Sequence, residues 1–150
     1  MANSPAIAIQ QADLILKLYE LRREAVMRSA RGYVGGEFMP RSVDDFVSLV
    51  AAGNQQSGYI LQVYGYWDMV GAFVVHGALE ARLVYDTCQE MYFQYAKIQP
   101  YLKDFRQAMN LPEFMRSLEA VIEGSEEGRS RLADMRNNLE AIREARRLEG

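Results

Sequence analysis

Apolar residues recur three and four positions apart along most of the chain, and the period-two alternation of strands is missing, so the pattern predicts an all-α fold. Ser4-Pro5 supplies an N-cap and a proline at the first helical position. Leu14, Leu18, Leu21 and Ala25 follow at helical spacing and predict a first helix over residues 5–30. Residues 31–41, with three glycines and a proline, read as a loop. No strand precedes these glycines and no GK[ST] or GxGxxG follows, so they do not form a phosphate-binding fingerprint. Ser42 with Asp45 resembles a capping box for a short helix carrying Phe46, Leu49 and Val50, which stops at Gly53. A third helix is predicted over residues 55–76, closed by Gly77 in a left-handed conformation.

Residues 79–85 read as a short helical turn, and Thr87 with Glu90 forms a capping box. From there Cys88, Met91, Tyr95, Ile98, Leu102, Phe105 and Met109 keep one register straight through Pro100. The spacing predicts a single helix over 87–109, bent at Pro100, which deprives the Ala96 carbonyl of its donor. Pro112 opens another helix ending near Gly124, and GSEEG separates it from a charged segment. The expected architecture is a single-domain bundle of five to six helices. Residues 1–124 form its core, and residues 125–150 form a charged C-terminal helix belonging to the same domain or to a dimer interface. Leu132, Met135, Leu139 and Ile142 give that helix a stripe of about two heptads, suited to another helix.

Residues 59–79 are nearly free of charge but keep Asp68 and the only histidine, His76. A bilayer span is disfavoured there, because a carboxylate at its middle costs about 2.5–3.5 kcal/mol on insertion scales. Ile60, Val63, Trp67, Val70 and Val74 share one face, the core side. The opposite arc holds Gly58, Gln62, Gly65, Asp68, Ala72 and His76 and faces either water or a closely packed helix. Arg22 falls on an otherwise apolar face of the first helix, so a buried Arg22–Asp68 ion pair is the simplest solution for both groups. His76 precedes the helix-ending glycine, where it caps free carbonyls, and no carboxylate at helical spacing completes a metal site with it. Glu90, with Gln94, Lys97 and Asp104, lies off the apolar stripe and reads as solvated.

The chain has 150 residues, enough for one core, and a formal charge of −3, which does not favour nucleic acid. The single cysteine, Cys88, excludes an internal disulfide and fits a reducing, cytoplasmic setting. The N-terminal residues lack the basic and apolar runs of a signal peptide. No serine, cysteine or lysine nucleophile has a recognisable base, so no catalytic residues, metal or cofactor are assigned. The leading reading is a non-catalytic helical protein acting through protein contacts or as a homodimer, with neither nucleic acid nor a membrane span. The chain has nine tyrosines, and the alternative is a small-molecule-binding or enzymatic domain with a tyrosine-lined pocket near Asp68, for which Asp68, Tyr64 and His76 are the candidate residues.

LYELRREAVMRSAR, GYWDMVGAFVVHGAL and EMYFQYAKIQPYLKDFR together resemble an uncharacterised bacterial domain-of-unknown-function family of helical proteins, over about residues 14–122. Trp67-Asp68 and the following HGAL are the most specific part. The resemblance implies a helical fold and no activity.

Overall fold

The computed structural model describes residues 4–150. Its helices are α1 (Pro5–Arg22), α2 (Ala25–Gly36), α3 (Val43–Ala51), α4 (Gln55–Val75), α5 (Ala81–Thr87), α6 (Gln89–Ile98), α7 (Leu102–Met109), α8 (Arg116–Glu123) and α9 (Glu126–Glu149). No strand occurs among the described residues. The elements outnumber the five or six expected because local chemistry divides two of the predicted helices and the short turn expected at residues 79–85 is a helix of its own, α5.

The first division falls at Arg23-Glu24. The Glu24 carboxylate accepts the Val26 and Met27 backbone N–H groups, at 3.1 and 3.0 Å, and so starts α2 afresh. Those two bonds hold its carboxyl below the usual carboxylate range. The new helix runs on through Gly32 and Gly35 to Gly36, where a loop was expected. Glycine costs a helix about 1 kcal/mol relative to alanine. Burial of Met27, Ala30 and Val34 on α4 outweighs that cost.

The second division falls at Pro100. The chain does not reverse there, but a turn of 3-10 helix over Gln99–Tyr101 separates α6 from α7 where one bent helix was expected. The expected capping box before α6 does not form. Thr87 Oγ1 donates back to the Leu83 carbonyl at 2.7 Å, and Glu90 is engaged elsewhere. Two other starts match expectation: Ser4 Oγ accepts from Ile7 N, and Ser42 Oγ from Asp45 N. Pro112 does not open a helix as expected, because turns occupy residues 112–115 and α8 starts only at Arg116, while α9 starts at Glu126 within the expected GSEEG separator. Gly77 has φ +81, and Ala78 N donates to Phe73 O while Gly77 N donates to Val74 O, closing α4 in a Schellman motif.

α4 is one axis of the bundle, with α2, α3 and α8 around it. Ile60, Val63, Trp67 and Val70 are wholly buried, as the spacing required. α6 is the second axis and lies under α9. Phe46 of α3 stacks on Phe105 of α7, with ring centroids 4.0 Å apart, and fastens the two sides together. Leu132 and Leu139 of α9, each 2% exposed, are buried within their own subunit, with Met135 partly so and Ile142 at the edge.

Candidate functional site

Asp68 stands on α4 opposite the first turn of α8, which begins after Met115 in a left-handed conformation (φ 59) with no side-chain cap of its own. Asp68 Oδ1 accepts the Leu118 backbone N–H at 2.9 Å and supplies that cap from fifty residues away in sequence. One turn on, Gly71 has no side chain to obstruct the approach. A Cβ there would lie 2.8 Å from Leu118 N and 2.9 Å from the Ser117 carbonyl carbon. The carboxylate and the missing side chain together seat α8 on α4. By contrast, a Cβ at Gly58 or Gly65 would meet nothing, so that part of the arc faces solvent.

The Arg22–Asp68 ion pair is therefore not made; the Arg22 Nε is buried with no hydrogen-bond partner, and its charge is met by aromatic rings. Its guanidinium lies 5.0 Å from the Tyr19 ring centroid and 5.2 Å from that of Trp67. Aromatic faces offer a buried cation a partial counter-charge in place of a carboxylate. The expected ion pair falls instead to Arg31 and Glu90. Arg31 Nη2 lies 2.8 Å from Glu90 Oε2, and Nε also reaches both carboxylate oxygens. Arg31 Nη1 also donates to the Arg22 carbonyl at the end of α1, so one side chain ties α1 and α2 to α6.

Glu90, Gln94 and Lys97 share a face of α6 that reads from sequence as solvated, yet Gln94 and Lys97 are buried. Apolar residues on the other arcs of α6 (Met91, Tyr92, Tyr95, Ile98) were the signal that it is enclosed all round. Lys97 Nζ donates to the Val34 and Phe38 carbonyls, the latter at 3.0 Å, and sits 5.2 and 5.1 Å from the Phe38 and Phe93 ring centroids. It thus caps the carboxyl end of α2, where the helix dipole welcomes a cation. Burial pushes the Lys97 ammonium down to about 7, with Glu90 pulling the other way. Arg146 of α9 completes that cap by donating to the Gly36 carbonyl at 2.8 Å.

Tyr64, Asp68 and His76 do not converge on one cavity. The Tyr64 hydroxyl, wholly buried, donates to the Gln94 carbonyl at 2.8 Å, and burial pushes it well above the usual phenol range. His76 is the exposed C-cap of α4, and its backbone N–H reaches the Ala72 carbonyl. Tyr66 donates to the Leu18 carbonyl at 2.6 Å, with burial pushing it up to about 12, Tyr85 donates to the Val121 carbonyl, and Tyr95 donates to Glu123. Four tyrosines of the middle of the chain thus hydrogen-bond within the core, while the Tyr92 hydroxyl is buried with no partner.

The open concavities lie elsewhere. A cleft of about 790 Å³ takes in Tyr33, Tyr101, Arg41, Arg143 and Arg146, but none of Asp68, Tyr64 and His76. A second, of about 530 Å³, lies where Arg106 of α7 meets Arg116 of α8. Among the described residues no group of three or more His, Cys, Asp or Glu stands ready to hold a metal ion. No described helix is long and apolar enough to cross a membrane.

The most exposed apolar helix surface is on α1. Ile9, Leu16 and Tyr19 are 62%, 60% and 50% exposed, and with Ala12 they fall at intervals of three and four on one face. The opposite face is docked through Gln11, Leu18 and Arg22.

Residues 7–125 match a family described as "Domain of unknown function (DUF4760)". No curated protein and no solved structure matches the chain.

Proposed function

The chain belongs to the DUF4760 family, a domain of unknown function, and from that premise we propose that it is a non-catalytic helical module working through protein contacts, pairing with a second copy of itself across the outer face of α1. The observation that carries this reading is the row Ile9, Ala12, Leu16 and Tyr19, exposed on a helix whose other face is already occupied. An exposed apolar row loses its hydration cost when covered, at about 25 cal/mol per Å². A heptad-like row is also complementary to itself, so a two-fold axis beside α1 covers both copies at once. Specific interfaces bury about 800 Å² per partner, more than two heptads supply. Val26, exposed in the first turn of α2, adds apolar surface just beyond the end of the row.

Four of the displaced groups favour the same reading. Lys97, Tyr64, Tyr66 and Tyr95 each spend their polar atoms on protein partners and not on an open cavity. A pocket of Asp68, Tyr64 and His76 has correspondingly little to support it. The cytoplasm is part of the proposal, since Cys88 is a free, buried thiol suited to a reducing compartment.

Sedimentation velocity on the full chain tests the proposal. The wild type should sediment as a dimer at micromolar concentration, and Leu16→Glu as a monomer with an unchanged helical spectrum. A monomeric wild type, or a Leu16→Glu protein that still dimerises, would sink the α1 pairing.

A further inference from the structure

We propose that the cleft between α7 and α8 binds a small, multiply charged oxyanion of the phosphate class, held by Lys103, Arg106 and Arg116. These three cations line the cleft of about 530 Å³ beside a single carboxylate, Glu119. Two positive charges are left in excess, on a chain whose formal charge is −3.

The guanidiniums are already fixed in place. Arg106 is only 7% exposed, its Nε donates to the Phe114 carbonyl at 2.8 Å, and its Nη1 to Glu119 Oε2 at 3.0 Å. Its Nη2 is buried with no hydrogen-bond partner. The fold therefore meets the charge of Arg106 only in part, through Phe114 and Glu119, and leaves a net positive field on the cleft that it lines. Arg116 is braced in the same way, with Nε to the Pro112 carbonyl at 2.9 Å and Nη1 to Glu119 Oε1 at 3.1 Å. Glu119 therefore has one oxygen committed to each arginine and cannot neutralise both. Lys103 is exposed and has no ion-pair partner among the described residues.

The outer edge of the Arg116 guanidinium, the Lys103 ammonium and the Arg106 charge behind them match an anion with several oxygens. The amides of Gln107 and Asn110 on the same wall supply neutral donors. The volume lies within the range of about 300–1,000 Å³ typical of small-molecule sites, which leaves room for an organic body behind the charged group.

The test is a titration of the full chain with inorganic phosphate, pyrophosphate or glycerol phosphate at constant ionic strength, read by melting temperature and by amide chemical shifts. Saturable binding of at least one probe is expected, with shifts centred on Arg106 and Asn110. Preference for pyrophosphate identifies an inorganic polyanion as the fitting ligand, and preference for glycerol phosphate identifies an organic phosphate. The Lys103→Gln/Arg116→Gln double variant should bind at least about tenfold more weakly, about 1.4 kcal/mol. Lys103→Glu alone should weaken binding too, which covers the case of a poorly folded double variant. Arg147→Gln on α9 should bind as the wild type does. Absence of saturable binding by all three probes, or equal binding by wild type and Lys103→Glu, overturns the proposal.

Discussion

α1 and α9 carry similar rows of apolar residues at three-and-four spacing, and the fold treats them in opposite ways. In the highly charged α9, Leu132 and Leu139 are buried on the subunit's own body, while in the more apolar α1, Ile9, Leu16 and Tyr19 stand in solvent. Spacing tells which residues share a face. Whether that face is covered depends on what other elements leave open, and here α6 lacks a cover until α9 reaches it. The expectation that Leu132, Met135, Leu139 and Ile142 serve as an interaction helix thus meets an intramolecular use of the first three. The row left for a second copy is on α1.

The sharpest test of this contrast is Leu139→Ala against Leu16→Ala. Truncating the buried leucine should cost about 2–5 kcal/mol of unfolding free energy, by lost transfer and a residual cavity. The exposed one should stay within about 0.5 kcal/mol when measured in dilute, monomeric protein. Similar losses by chemical denaturation would erase the distinction between the two rows.

A second test addresses the polar face that α9 helps to enclose. The Lys97 ammonium is pushed down to about 7 in the fold, from an ordinary value of 10.5. Between those values the unfolded chain binds more protons than the folded one, so stability should rise with pH, by at most about 1.4 kcal/mol per pH unit. Below the folded value both states are protonated and the dependence vanishes. Above pH 10 the buried tyrosines, whose folded values are raised, act in the opposite sense. Lys97→Met should abolish the rise between pH 7 and 9.5 in urea melts. A variant with the wild-type slope would show that another group titrates there.

A smaller effect is expected where α8, the other helix against α9, is seated. Asp68→Ala removes one cap hydrogen bond and should cost about 0.5–2 kcal/mol. A buried ion pair with Arg22 would cost about 3–5 kcal/mol. Equilibrium denaturation separates these values, and a loss in the higher range would return Asp68 to the role of a counter-ion. Smallest of all should be the change in fold stability for Leu16→Glu, whose consequence is in the mass of the particle.

Much of the helical layout was legible because its causes are local. Ser4-Pro5 starts α1, Ser42 starts α3, and Gly77 closes α4, each through groups within a few residues. The core face of α4 could be read for the same reason, since Ile60, Val63, Trp67 and Val70 follow the helical period. The break at Glu24 was within reach as well, because a carboxylate two and three residues ahead of free N–H groups is a local cap. The mixed composition of the following segment hid it, as glycines in α2 imitate a loop.

The site residues resisted for a different reason: their partners are distant along the chain. Asp68 could be recognised as a group in need of a partner, but the Leu118 N–H is fifty residues away and carries no side-chain signature. Lys97 and Glu90 look solvated by type, and only the convergence of α2, α6 and α9 buries Lys97 and half-buries Glu90. Arg22 could as well have met a carboxylate as the rings of Tyr19 and Trp67. Sequence by itself determined the secondary structure where each residue's neighbours in the chain are also its neighbours in space. Tertiary structure alone decided which charges are paired, which apolar rows are covered and where cations gather in excess, because those energies depend on desolvation by elements that are remote in sequence.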